Sequence, residues 1–192
     1  MKTRPTVFFD RDGVLIENLA DHVPAVSDVH VLAGAFAAVR RVREAGYTPI
    51  VVSNELVVGL GIVSAAKVAT VHRHVVRLFA DAGAPIDFSY LCPHAPADAC
   101  GFHKPRPGLL TYAAERLGIA LDPSVMIGDA LTDISAARAV GVPSVLVFTG
   151  RGMTEHQKAT AQELADVAVV ASVVEAAEHI IVRGTKRKEG PA

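Results

Sequence analysis

The chain has 192 residues, 51% of them apolar, with 19 basic and 20 acidic side chains and a formal charge of −1. That length suits one domain whose core is large enough to fold without staples. The charge balance excludes a global pull toward nucleic acid or an anionic membrane surface. No apolar run approaches the length of a membrane span, and MKTRP leads straight into a strand rather than a leader peptide. A soluble, cytoplasmic protein is expected. Cys92 and Cys100 lie near histidines, which in a cytosolic chain favours metal binding or plain thiols over a disulfide.

TVFF (6–9) reads as a short buried strand that ends at Asp10. Residues 34–45 place Phe36, Val39 and Val42 near one helical face, and Gly46 ends that helix. TPIVVS (48–53) is β-branched and apolar in its middle, the pattern of a parallel strand. Ser64 can cap a helix with Val68, Val71, Val75 and Leu78 on one side and Lys67, Arg73, His74 and Arg77 on the other. His72 and His74 are expected at its surface or boundary. DFSYLC (87–92) is a third strand, and Pro107 opens a helix that Gly118 closes. SVMIG (124–128) is a fourth strand, ending at Asp129, followed by a short helix from Asp133 to about Val140. PSVLVF (143–148) is a fifth strand. A helix near 155–165, a strand at 167–170 and a helix at 172–182 complete the pattern. RGTKRKEGPA (183–192) is read as a disordered basic tail. Strands alternating with helices predict one α/β domain over 1–182, with a Rossmann-like, doubly wound and mostly parallel sheet.

Ligands in such a sheet bind beyond the carboxyl ends of the strands. Asp10 and Asp12 follow the first strand, Ser53 and Asn54 end the second, Asp129 and Asp133 follow the fourth, and Lys104 sits in a KPRPG turn before a helix. Clustered carboxylates stay ionised only beside a cation, and hard oxygen donors suit Mg²⁺. A lysine, a hydroxyl and backbone N–H groups facing the same spot suit a phosphate. Asp10 is then placed to attack phosphorus and Asp12 to protonate the leaving oxygen and later activate water. Ser53 and Lys104 would hold the phosphoryl oxygens. Each short motif alone is an ordinary turn or cap; the reading rests on all four occurring in this order after apolar strands.

At FFDRDGV (8–14), VVSN (51–54), HKPRPG (103–108) and MIGDALTD (126–133) the sequence resembles the haloacid dehalogenase (HAD) superfamily of phosphatases. DRDGV, CPHAPADAC (92–100), KPRPGLL (104–110) and VLVFTGRG (145–152) are similar to its small, capless group. That group holds the D-glycero-D-manno-heptose 1,7-bisphosphate phosphatases and the histidinol-phosphate phosphatases. The resemblance implies Asp10 as nucleophile and Asp12 as general acid/base. It implies Mg²⁺ on Asp10, the Asp12 backbone carbonyl and Asp129, phosphate on Ser53, Asn54 and Lys104, and Asp133 in support. It implies a small phosphorylated metabolite as partner, first a heptose bisphosphate, with histidinol phosphate as the alternative; a monomer with no nucleic-acid or membrane partner is expected.

Two departures stand out. The group's zinc loop carries Cys-x-His and Cys-x-Cys; here Cys92, His94 and Cys100 remain, Phe102 replaces the last cysteine and His103 follows. Two sulfurs and two imidazoles can still bind Zn²⁺ tetrahedrally, or the loop holds no metal and the cysteines act as small apolar residues. After the second motif, SNELVVGLG (53–61) holds Glu55, Leu56 and Val57 where the group has Gln-Ser-Gly, and Leu60 at an arginine position. Lost cationic contacts would favour a changed specificity, or a binding protein with little turnover. His22, in the loop after the first motif, is a further candidate for facing substrate.

Overall fold

The structure, a computed structural model, describes residues 4–18 and 25–189; His22 lies outside them. The elements in chain order are β1 (Thr6–Phe9), α1 (Ala35–Glu44), β2 (Thr48–Asn54), α2 (Leu56–Gly59), α3 (Ala65–Asp81), β3 (Phe88–Cys92), α4 (Gly108–Leu117), β4 (Val125–Gly128), α5 (Leu131–Arg138), β5 (Ser144–Val147), α6 (Gly152–Lys158), α7 (Ala161–Leu164), β6 (Ala168–Val170) and α8 (Val173–Glu189).

The six strands form one sheet in the order β3-β2-β1-β4-β5-β6, and every pairing is parallel. Each strand therefore needs a crossover, which the helices supply on both faces. β1 is central and wholly buried, so successive side chains serve opposite layers. Val7 and Phe9 pack with Val39 of α1, Phe79 of α3 and Ile180 of α8. Phe8 packs with Leu109 and Leu110 of α4 and Ala136 of α5. Burying a phenylalanine of this kind contributes roughly 2–3 kcal/mol. The strand order reverses between β1 and β4, so the crevice of a doubly wound sheet opens beyond the ends of these two strands.

Three boundaries differ from the sequence reading. The helix expected near 155–165 is two short helices, because Ala159 is extended and Thr160 caps the second one reciprocally with Glu163. α2 was not anticipated; four residues are too few to show a period. The segment 183–189, read as a disordered tail, continues α8. Arginine, lysine and glutamate are good helix formers, and the glycine among them, Gly184, leaves room for the Tyr47 ring, whose hydroxyl lies where a Cβ would stand.

Candidate active site

The chain after β1 turns immediately. Backbone N–H groups of Leu15 and Ile16 donate to the Arg11 carbonyl, and Gly13 N–H donates to the Ile16 carbonyl at 2.7 Å. Gly13 has φ +87°, and a Cβ there would collide with the Asp129 carboxylate; Gly150, at φ +58°, faces the same carboxylate from the other side. Glycine permits both the backbone conformation and the close approach. Thr149 Oγ1 donates to the Gly13 carbonyl at 2.5 Å, which ties the loop after β5 to the loop after β1.

Between these loops, carboxylate oxygens of Asp10, Asp129 and Asp133 all lie within 4.8 Å of one another, and all three residues are buried. Lys104, itself buried, enters the group from the turn before α4. Its Nζ donates to Asp10 Oδ1 (2.9 Å) and the Val52 carbonyl (2.8 Å), and lies 2.6 Å from Asp133 Oδ1. Burial alone would lower the Lys104 pKa, but Asp10 and Asp133 outweigh it and raise it, so the ammonium is locked in its charged form. Asp133 also caps α5 through a bond from Ala130 N–H, at 3.1 Å. Burial, offset by Lys104 and reinforced by Asp10 and Asp129, pushes its carboxyl up to about 7. Asp129 is likewise raised, by burial and then by Asp10, against the pull of Arg151. Arg151 donates its backbone N–H to Asp129 Oδ2 (2.8 Å) and reaches Oδ1 with Nη2 (3.3 Å) from an exposed position.

These raised carboxyls identify a site short of positive charge. Three buried carboxylates face one buried lysine and one solvent-exposed arginine. An all-oxygen donor set with that deficit fits a hard divalent cation such as Mg²⁺.

Asp10, Asp129, Asp133 and Lys104 converge. Ser53 is buried at the end of β2, and its hydroxyl bonds to Glu55. Asn54 exchanges two bonds with the Lys104 backbone, Nδ2 to the carbonyl and Oδ1 from the N–H, both at 3.0 Å. Its amide side chain thus positions the lysine turn. The Asp12 carboxylate lies outside the Asp10–Asp129–Asp133 group and is held by Arg11 at 2.8 and 3.3 Å.

In the loop after β3, Cys92 Sγ is 3.8 Å from His94 Nδ1 and 4.0 Å from Cys100 Sγ. Tetrahedral zinc with ~2.3 Å bonds to sulfur separates its ligands by about 3.8 Å, so these atoms fit three corners. His103 does not join them. Among the described residues the sulfur-containing group with donors within 4.8 Å is Cys92, His94 and Cys100, without His103. Asn54 pins the backbone of the next residue, Lys104, toward the crevice, and the His103 ring is buried beside the His94 backbone with Nδ1 unpartnered. His72 is also a correction: it is buried in α3 rather than at the surface, with both ring nitrogens unpartnered, and burial, aided by Arg11, lowers its pKa to about 4.

Arg11, Glu55 and Arg151 were not anticipated as site residues. A signal was present for the first two. Arg11 sits between two aspartates just after an apolar strand, and Glu55 just before the apolar run Leu56–Val57–Val58; a charge carried into the interior requires a partner.

A family model described as HAD-hydrolase-like matches residues 101–176. The chain is 32% identical over 151 residues to the D-glycero-beta-D-manno-heptose-1,7-bisphosphate 7-phosphatase of Pseudomonas aeruginosa, spanning 79% of this chain and 85% of the relative. It is 34% identical over 173 residues to the protein of that name from Vibrio cholerae, spanning 85% and 91%. A crystal structure of D,D-heptose 1,7-bisphosphate phosphatase from B. bronchiseptica, complexed with magnesium and phosphate, superposes with a TM-score of 0.86 at 27% identity, covering 93% of this chain and 99% of that one. The chain belongs to the HAD-like hydrolase family, and it is a phosphatase of that family. No helix among the described residues is long and apolar enough to cross a membrane.

Proposed function

We propose that the protein removes the 7-phosphate from D-glycero-D-manno-heptose 1,7-bisphosphate through an aspartyl-phosphate on Asp10. The observation that carries the chemistry is the gathering of Asp10, Asp129, Asp133 and Lys104 at the switch point of the sheet. The substrate is supported by the relatives' names, at 31–36% identity over most of the chain.

Asp10 attacks phosphorus in line with the leaving oxygen, its carboxylate held by Lys104. Asp12 protonates the departing alkoxide and then takes a proton from the water that cleaves the acyl phosphate. Lys104 and Ser53 stabilise the equatorial oxygens as charge builds there. Asp10, the Asp12 carbonyl and Asp129 would hold Mg²⁺, with Asp133 in support; the bound ion would supply charge neutralisation at the phosphoryl oxygens. Cys92, His94 and Cys100 would hold a structural Zn²⁺ whose fourth ligand is not His103. The protein acts as a cytoplasmic monomer on a small phosphorylated sugar, with no nucleic-acid or membrane partner.

The test is phosphate release from a panel of phosphorylated heptoses, histidinol phosphate and other sugar phosphates, with Mg²⁺, with chelator and with Asp10→Asn. Turnover of the heptose bisphosphate that needs both Mg²⁺ and Asp10 is expected. Preference for histidinol phosphate would move the substrate assignment, and a folded protein with no turnover would make it a binding protein.

A further inference from the structure

The mechanism above uses neither Arg11 nor Glu55, yet these are the most deeply buried opposite charges outside the Lys104 cluster. Their side chains are each 5% exposed. Arg11 Nη1 lies 2.8 Å from Glu55 Oε1, and Nη2 donates to Oε2 at 3.0 Å. On the adjacent edge of the same guanidinium, Nη2 and Nε donate to Asp12 Oδ2 and Oδ1 at 2.8 and 3.3 Å. One rigid planar cation is thus gripped by two carboxylates, each in a two-pronged contact. Glu55 is anchored in turn: its backbone N–H donates to the Cys92 carbonyl at 2.7 Å, and its carboxylate takes a bond from Ser53.

A buried ion pair contributes little to stability, since desolvation cancels most of the attraction. What it does supply is placement. The backbone of Arg11 is already fixed by the turn to Leu15 and Ile16, so the remaining freedom lies in the Asp12 side chain, which is 26% exposed. A cavity of about 20 Å³ beside the clamp, walled by Val57, Val63, Val68 and Val71, holds about one water at most. Solvent therefore cannot readily replace Glu55 as a partner of Arg11.

We infer that Arg11 is a positioning residue for Asp12, held in line by Glu55, so that β2 sets the orientation of the carboxyl that serves the leaving group. This rests on Asp12 being the general acid/base. Lysine could not substitute, because it offers a point charge without the fork.

The experiment separates positioning from support of the fold. kcat/KM reports phosphoryl transfer to Asp10 and not the later attack of water. p-Nitrophenyl phosphate loses an anion that needs no proton, whereas an alkyl phosphate needs Asp12. Both substrates, the second being the best alkyl phosphate of the panel above, are measured with the unmodified protein, Glu55→Gln and the double variant Arg11→Met/Glu55→Met. The double variant leaves no buried charge unpaired, and its folding is checked by circular dichroism. It is expected to lose at least about tenfold in kcat/KM on the alkyl phosphate and less than about threefold on the aryl phosphate. Glu55→Gln, which keeps an acceptor for Arg11, retains a ratio near that of the unmodified protein. A folded double variant that loses equally on both substrates, or on neither, overturns the inference. Absence of Asp10-dependent turnover of the aryl phosphate by the unmodified protein overturns the aspartyl-phosphate reading, and this one with it.

Discussion

His72→Leu is expected to stabilise the protein, increasingly so in acid. The ring is 8% exposed and neither nitrogen has a partner; removing two such groups contributes about 1 kcal/mol at pH 7.5, after allowance for imperfect packing of leucine. The pH-dependent part follows from the folded pKa of about 4 against 6.5 for a free imidazole. Below pH 6.5 the unfolded chain binds a proton that the folded one refuses, so stability falls as pH drops from 6.5 toward 4. At pH 5 that loss is roughly 2 kcal/mol, at about 1.36 kcal/mol per pH unit. Leucine abolishes it, for a total gain of about 3 kcal/mol at pH 5, or roughly 6–12 °C in Tm for a chain of this size. Thermal unfolding of both proteins at several pH values between 5 and 7.5, in chelator, is the assay. A difference that stays flat across this range, or a variant that loses stability in acid, would refute a buried neutral imidazole.

Asp133→Asn tests the opposite slope. Its folded carboxyl titrates at about 7 against 3.8 unfolded, so in chelator the parent loses stability as pH rises through that window, by an amount on the order of 4 kcal/mol. The asparagine variant should gain on the parent over the same range, and parallel stability curves would contradict this. Asn54→Ala removes both bonds to the Lys104 backbone. It should cost about 1–2 kcal/mol of stability and, by loosening Lys104, about 10–100-fold in kcat/KM; unchanged kinetics would show that the lysine is positioned by other contacts. Gly13→Ala forces φ +87° on a residue with a Cβ and drives that Cβ into Asp129. A loss of roughly 2–5 kcal/mol is expected in urea unfolding, and a loss under about 1 kcal/mol would mean the two loops part easily.

Asp10 and Asp129 were legible because each directly follows an apolar run of strand length, and a parallel sheet brings strand ends together without further information; Asp133 and Lys104 were legible only from the order of the four motifs. The Arg11–Glu55 clamp was not legible. Its partners are 44 positions apart, and their meeting depends on β1 and β2 being neighbours with Phe9 beside Val51, which the local pattern does not specify. Glu55 read from sequence as a departure near the substrate proves to be an interior charge with a partner. The same limit applies to His103. Cys-x-His-x₅-Cys-x₂-His spacing allows four ligands, but the His103 ring bonds to the His94 backbone and is not grouped with the other three donors. The end of α8 was misread for a different reason: a polar, basic segment looks like a tail until Tyr47 is found packed over Gly184.

The claim that Asp10 carries the phosphoryl group is tested most directly by rapid acid quench during turnover of substrate with a radiolabelled phosphate, followed by peptide mapping. The account predicts label on the peptide containing Asp10 in the unmodified protein and none in Asp10→Asn. Steady turnover without label on that peptide, or label on a residue elsewhere, would contradict it.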